Sequence, residues 1–165
     1  MSKLEVDGQP VPANVPYPIV RIPKAGVLRM EVCTRSWVNL MVHYTGSGAK
    51  VCPGEDKCTA CLSGILQQWQ GYVMATPIDK RQFFIVPLTQ LAAYMLKQQV
   101  WRKQSLWGAK VVLTRTGPRA NGPVEASIWG WSDDTPFTSI DRLLWAVSTI
   151  HRLHKHNEST LEVGE

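Results

Sequence analysis

Three cysteines within ten residues, set among glycine, proline and lysine, constrain this chain more than anything else in its sequence. Cys52, Cys58 and Cys61 follow His43 in the string HYTGSGAKVCPGEDKCTAC, which has the form H-x8-C-x5-C-x2-C. Any fold the chain adopts must bring these side chains to one point. A Cys-x2-Cys turn lets two thiolates reach one ion at tetrahedral angles. Pro53 and Gly54 bend the chain behind Cys52, and Lys50 and Lys57 partly offset the charge of three thiolates. The pattern predicts a bound Zn2+ with His43, Cys52, Cys58 and Cys61 as ligands. For the fourth position Cys33 or water is the alternative to His43. Four protein ligands leave no open coordination position, which makes the ion structural rather than catalytic. Because the thiolates need the metal at neutral pH, binding releases protons and adds directly to folding. A thioredoxin-type redox pair is disfavoured, since no βαβ unit surrounds Cys58 and Cys61.

A chain of 165 residues has the length of one domain and can bury a core without disulfides. Its opening residues, MSKLEVDGQP, carry charges and proline where a secretory signal needs an apolar run, and no stretch approaches the length of a membrane span. Cysteines grouped this tightly fit a reducing compartment better than a disulfide framework. The expectation is a soluble, cytoplasmic protein.

Residues 1–26 contain five prolines and little periodicity, and read as an extended arm. From 27 to 157 one domain is expected, followed by a short acidic tail at 158–165. Alternation over Val27–Arg35 and Trp37–Tyr44 predicts two strands. The segment 43–64 reads as an inserted loop carrying the metal motif, without a repeat suited to helix or strand. Strands are predicted again at Trp69–Ala75 and Gln82–Val86. A helix is predicted from Leu88 to about Gln104, where Leu88, Leu91, Ala92, Met95 and Leu96 recur at helical spacing. Lys110–Thr116 and Val124–Trp131 form a hairpin with a basic loop. Thr138 or Ser139 caps a last helix whose face is Ile140, Leu143, Leu144, Val147 and Ile150. The fold class is mainly β with helices. A helix between the third and fourth main strands of a small antiparallel sheet matches an OB-fold-like barrel with an added C-terminal helix. An α+β sandwich fits the same periodicity.

Between Arg21 and Arg119 there are 14 basic residues against four acidic ones, a net of +10, while the remaining ends sum to −5. A basic middle with acidic ends is the footprint of a polyanion-binding body, or of a surface that is simply basic. Of the seven tryptophans, Trp129, Trp131 and Trp145 read as packing residues, with Trp129 and Trp131 on one face of a strand. Trp37, Trp69, Tyr72, Trp101 and Trp107 stand near cations. That mixture holds single-stranded nucleic acid, cations following phosphates and rings stacking on bases, although burial accounts for each ring equally well.

The set His43, Cys52, Cys58 and Cys61, inserted between strands of an OB-like sheet, resembles the zinc-containing single-stranded DNA-binding proteins of tailed phages, the T4-type helix-destabilising proteins. The segment Gly108–Val124 resembles the last hairpin of that family, and the likeness spans about 27–131. It implies an OB barrel with a built-in zinc subdomain of one histidine and three cysteine ligands, and a basic, aromatic groove for single-stranded DNA. The family's acidic tail is represented only by Glu158, Glu162 and Glu165. The leading expectation is a non-catalytic single-stranded DNA-binding protein of replication, recombination or repair, which meets proteins of those processes in the host cytoplasm if phage-encoded. Candidate contacts are Arg29, Arg35, Trp37, Lys80, Arg81, Trp107, Lys110, Arg115 and Arg119; RNA is a second candidate ligand. The alternative is a zinc-stabilised protein-interaction module of a phage or mobile-element complex. An enzyme is disfavoured, because the sequence offers neither a carboxylate cluster nor the His-x-Glu of a deaminase.

Overall fold

The computed structural model describes residues 5–6, 9–10, 17–45, 48–54, 56–78, 82–100, 103–119, 122–151 and 161–164. Its strands are β1 (Glu5–Val6), β2 (Gln9–Pro10), β3 (Val27–Val32), β4 (Val38–Thr45), β5 (Gly48–Val51), β6 (Gln68–Thr76), β7 (Phe84–Leu88), β8 (Ala109–Arg115), β9 (Val124–Trp131) and β10 (Glu162–Val163). The helices are α1 (Thr59–Leu62), α2 (Gln90–Val100) and α3 (Ile140–Ile150). β1 and β2 pair with each other, and the other eight strands form one sheet of antiparallel ladders. Among the described residues no helix is long and apolar enough to cross a membrane.

β3 and β4 behave as one bent strand. Val32 lies opposite Ala75 and Val38 opposite Tyr72, so both halves run antiparallel to the same edge of β6, with 33–37 leaving the ladder between them. β7 takes the other edge of β6, β8 pairs with β3, and β9 pairs with β8. The curved sheet therefore ends at β7 on one side and β9 on the other.

The closed barrel expected from the sequence does not form: among the described residues no ladder joins β7 to β9, and each edge has another partner. Ile85 N–H donates to Pro18 C=O at 2.8 Å and Val20 N–H donates to Ile85 C=O at 2.9 Å, so the arm runs parallel along β7. Two residues on, Pro87 has no N–H to offer that edge. On β9 the Gln99 side chain replaces a strand. Its Nε2 donates to Ala126 C=O at 3.0 Å, and its Oε1 accepts from Ile128 N–H at 2.6 Å.

Two apolar clusters hold the sheet. β8 alternates strictly, with Val111 and Leu113 facing the concave side, where they meet Met30, Val32, Val73, Val86 and the α2 residues Ala92, Ala93 and Leu96. On the opposite face Val38, Leu40, Val42, Tyr72, Met74 and Ile85 are covered by Leu143, Ala146, Val147 and Ile150 of α3. Covering both faces explains why β6 and β7 read as continuous apolar runs. α3 begins where its cap was expected, with Ser139 Oγ accepting from Arg142 N–H at 3.3 Å. The described end of the arm, residues 17–26, is part of this body, because Ile19 and Ile22 are buried in the two clusters. At the other end β10 adds to β4, with Glu162 opposite Asn39 and Val163 opposite Val38.

Candidate metal centre and adjoining groove

Regular structure in the insert positions the ligands, where the sequence predicted only a loop. β5 pairs with β4, His43 opposite Lys50, and Cys52 N–H donates to Met41 C=O at 2.9 Å, which carries Cys52 alongside His43. β5 escapes sequence reading because Gly48–Val51 is too short to show alternation. Gly54, at φ +117°, then reverses the chain in a conformation that suits glycine. Cys58 caps α1 and Cys61 lies within its single turn, so helical spacing sets both thiols on one side.

The four ligand atoms lie within 4.8 Å of one another. His43 Nε2 is 3.3 Å from both Cys58 Sγ and Cys61 Sγ, and Cys52 Sγ is 3.6 Å from Cys61 Sγ. A tetrahedral zinc with ordinary bond lengths would separate two sulfurs by about 3.8 Å and nitrogen from sulfur by about 3.5 Å. The group can therefore hold a metal ion with small adjustments. His43 Nδ1 lies 3.0 Å from Leu66 C=O; donating there, it leaves the Nε2 lone pair facing the thiols, the outer partner that a ligating histidine requires. Gln67 Nε2 donates to Cys52 Sγ at 3.0 Å.

Burial raises the Cys52 thiol, but hydrogen bonds from the Gly54 backbone, Gln67, Cys61 and Cys58 outweigh it and leave its pKa below the ordinary value. Burial, with Cys52 and Cys58 beside it, pushes the Cys61 thiol up to about 12. Three thiols this close cannot all ionise without a cation among them, and a divalent ion removes that obstacle. Cys33 is outside the cluster. It is fully buried with Sγ 3.7 Å from Glu31 C=O, and burial followed by the Glu31 charge pushes its thiol up to about 12. Of the two protein candidates for the fourth ligand, His43 is the one brought to the site.

A groove of about 880 Å³ opens beside the insert, between its roots at Tyr44, Gln67 and Gln68 and the Arg115–Val124 end of the β8–β9 hairpin. Trp69 and Gln70 of β6, Pro87 and Leu88 of β7, and Arg21 and Ile22 of the arm complete its lining. The Trp69 indole lies over Gly71, where a Cβ would overlap the ring. Tyr44 Oη donates to Gln70 Oε1 at 3.0 Å, and Gln70 Nε2 reaches Leu88 C=O at 3.4 Å, which ties the wall together.

The residues expected to contact nucleic acid separate into several settings. Arg29 and Lys110 both project from the convex side of β3 and β8, and the Lys110 ammonium sits 5.0 Å from the Trp129 ring centroid. Arg35 is exposed in the bend between β3 and β4, and Arg119 is exposed in the hairpin turn. Trp107 is half-buried, donating through Nε1 to Thr135 C=O at 3.1 Å and meeting Phe137 edge-on. Trp37 is not available for stacking: it is 8% exposed, packed in the concave core and flanked by the C-terminal strand, whose Gly164 N–H donates to Trp37 C=O. Arg115 is 9% exposed and turned inward. Lys80 and Arg81 lie outside the described residues.

Sequence reading missed Arg21, hidden in the proline-rich arm, and Tyr44, beside a metal ligand. It flagged Trp69 but did not select it. It also paired Trp129 with Trp131, whereas the register shift between Lys110 and Val111 makes Trp129 the extra residue of a bulge. Trp131 packs at the core while Trp129 is 51% exposed, because a bulge re-aims the side chain it carries. Compared with protein-family models, curated proteins and solved structures, the chain matches none.

Proposed function

We propose that this chain is a single-stranded DNA-binding protein of replication, recombination or repair, acting in the cytoplasm, with an OB-type fold and one structural zinc ion. The strand connectivity supports the fold reading. With the bent β3/β4 as first strand, β6, β7, β8 and β9 follow as second to fifth; the first pairs with the second and fourth, and α2 lies between the third and fourth. That is OB connectivity with the seam between third and fifth strands left open. Zinc is favoured over other divalent ions by three thiolates, one imidazole and near-tetrahedral spacing, and the closed ligand set gives it a structural role.

The observation that carries the reading is the position of the groove. It lies across the second and third strands, between the roots of the first connecting loop and those of the last hairpin, which is where an OB-fold holds oligonucleotides. Tyr44 and Trp69 supply flat rings for bases, and Arg21 and Arg115 supply positive charge. Anisotropy titration of zinc-loaded protein against a labelled single-stranded oligonucleotide, with duplex and RNA competitors, tests it. Single-stranded DNA should win, and affinity should fall with salt as counterions are released. RNA winning would change the ligand, and no binding at low salt would end the proposal.

One observation favours a protein-interaction module instead. Leu62 and Leu66 are 77% and 80% exposed at the end of the insert, with Ile65 partly exposed between them. If Leu62→Ser/Leu66→Ser abolished capture of a partner protein while wild-type chain bound no oligonucleotide, that second reading would replace the first.

A further inference from the structure

We propose that Arg21 and Arg115 form an oxyanion site in the wall of the groove and that its ligand is a phosphate group, in the bound strand a backbone phosphodiester. The carrier of that phosphate rests on the nucleic-acid reading above; the site itself rests on the placement of both arginines on the groove wall.

Arg115 stands at the end of β8 on the inward side, where its neighbours Val111 and Leu113 are core residues. A cation placed there requires compensation. The structure supplies two neutral acceptors: Nε donates to Ile22 C=O at 3.4 Å and Nη1 donates to Gly122 C=O at 2.8 Å. A guanidinium has five N–H donors, so these carbonyls hold it in place without using its capacity. Among the described residues no carboxylate pairs with it.

Burial, and after it the Arg21 guanidinium, lower the Arg115 pKa, so the two side chains act on one another at the groove wall. Both side chains line the groove. The arm fixes Arg21 in place, since Ile22 beside it is buried and accepts from Arg115, while Val20 is hydrogen-bonded to β7. Two guanidiniums at the wall of an open groove suit a tetrahedral oxyanion, which accepts paired N–H bonds in the planar geometry arginine offers. Trp69 and Tyr44 on the same lining place flat rings where adjoining bases would lie.

The test measures oligonucleotide affinity over about 50 to 200 mM salt for wild-type protein, Arg21→Ala and Lys97→Ala, the last removing an equal charge from the exposed last turn of α2. Arg21→Ala should reduce the slope of log affinity against log salt by about 0.7, the contribution of one single-strand phosphate, and Lys97→Ala should leave it unchanged. Where wild-type protein binds the oligonucleotide, equal effects of the two variants, or none, would refute a strand phosphate at these arginines while leaving the nucleic-acid reading in place. A second arm uses no nucleic acid: inorganic pyrophosphate at matched ionic strength should raise the melting temperature of wild-type protein and of Arg115→Lys more than that of Arg21→Ala. Pyrophosphate stabilisation lost in Arg21→Ala, with no oligonucleotide binding by wild-type protein, would keep the site and refute the strand as its ligand. If pyrophosphate treated all variants alike and the salt slopes agreed, the site would be refuted.

Discussion

With zinc bound as proposed, stripping the metal should unfold the insert and leave the sheet standing. Neither buried apolar cluster contains a residue between His43 and Gly71; the insert contributes only the partly buried Val51 to their margins. What holds 48–67 is the short β4–β5 ladder, one helical turn and the four ligands. A structural zinc site is worth about 10–16 kcal/mol in peptides that have little other core. Without it, the opening free energy of the insert should drop to near zero, as in other segments lacking apolar contacts. The sheet feels the loss mainly through His43, which belongs to β4. Its coupling to the metal follows occupancy, about 2.7 kcal/mol when free ion exceeds the dissociation constant a hundredfold. Hydrogen exchange read by mass spectrometry, before and after chelation, resolves the two regions. The amides of Leu62, Ser63, Gly64 and Ile65, bonded to the carbonyls of Cys58, Thr59, Cys61 and Ala60, should lose protection. Those of Val73 and Val111 should keep it. Unchanged protection at 62–65 would refute the metal as the element that orders the insert, and simultaneous loss in β6 and β8 would refute its separability from the fold.

Trp69→Ala should weaken oligonucleotide binding by one stacked base, about 1–3 kcal/mol, in an anisotropy titration where Trp145→Ala, exposed on α3, has no effect. Leu143→Ala removes a fully buried side chain between α3 and the sheet and should cost about 2–5 kcal/mol in urea denaturation. Gln99→Leu removes the amide that completes β9 and leaves Ala126 C=O and Ile128 N–H to water, which should cost about 0.5–1.5 kcal/mol and speed exchange at Ile128. His151, desolvated by burial to a pKa of about 4 and 2.8 Å from Tyr72 Oη, is neutral in the native state near pH 6, whereas the unfolded chain binds a proton there. Its stabilising contribution is present above about pH 6.5 and declines by about 3 kcal/mol as pH falls towards 4. The readout is the difference between wild-type and His151→Asn denaturation midpoints across that range, which cancels contributions common to both.

What the sequence made legible was local. Alternation placed β4, β8 and β9 within a residue and the start of β3, whose end it overran by three residues; helical spacing placed α2, and Ser139 marked the start of α3. The candidate ligand set was legible because Cys58 and Cys61 share one turn and His43 lies near the end of β4. Apart from β5, too short to alternate, and the bulge at Trp129, the misses involve partners far apart in the chain. Trp37 has a cation-flanked sequence, yet its burial is settled by Ser36, Val38 and Asn39 meeting residues 162–164. Arg115 occupies an inward position of an alternating strand, which the pattern shows, but its carbonyl partners at Ile22 and Gly122 lie on other segments. Trp129 left the face predicted for it because one bulge shifts the register, and bulges leave no fixed mark in a sequence.

The open seam and the groove have a common origin. In a closed barrel β9 would lie against β7, and the walls formed by Leu88 and by Val124 would have strand pairing between them rather than open space. Pro87 removes a donor from the outer edge of β7, residues 18–20 occupy what remains of that edge, and Gln99 satisfies β9 from the other side. Each edge is thereby satisfied without the other. The same arm segment that seals β7 buries Ile19 and Ile22 in the two cores and brings Arg21 to the groove. A residue that reads as part of a proline-rich leader is thus a lining residue because the barrel does not close. On the proposed function, residues 19–22 therefore belong to the binding surface as much as to the fold, and substitutions there should affect both.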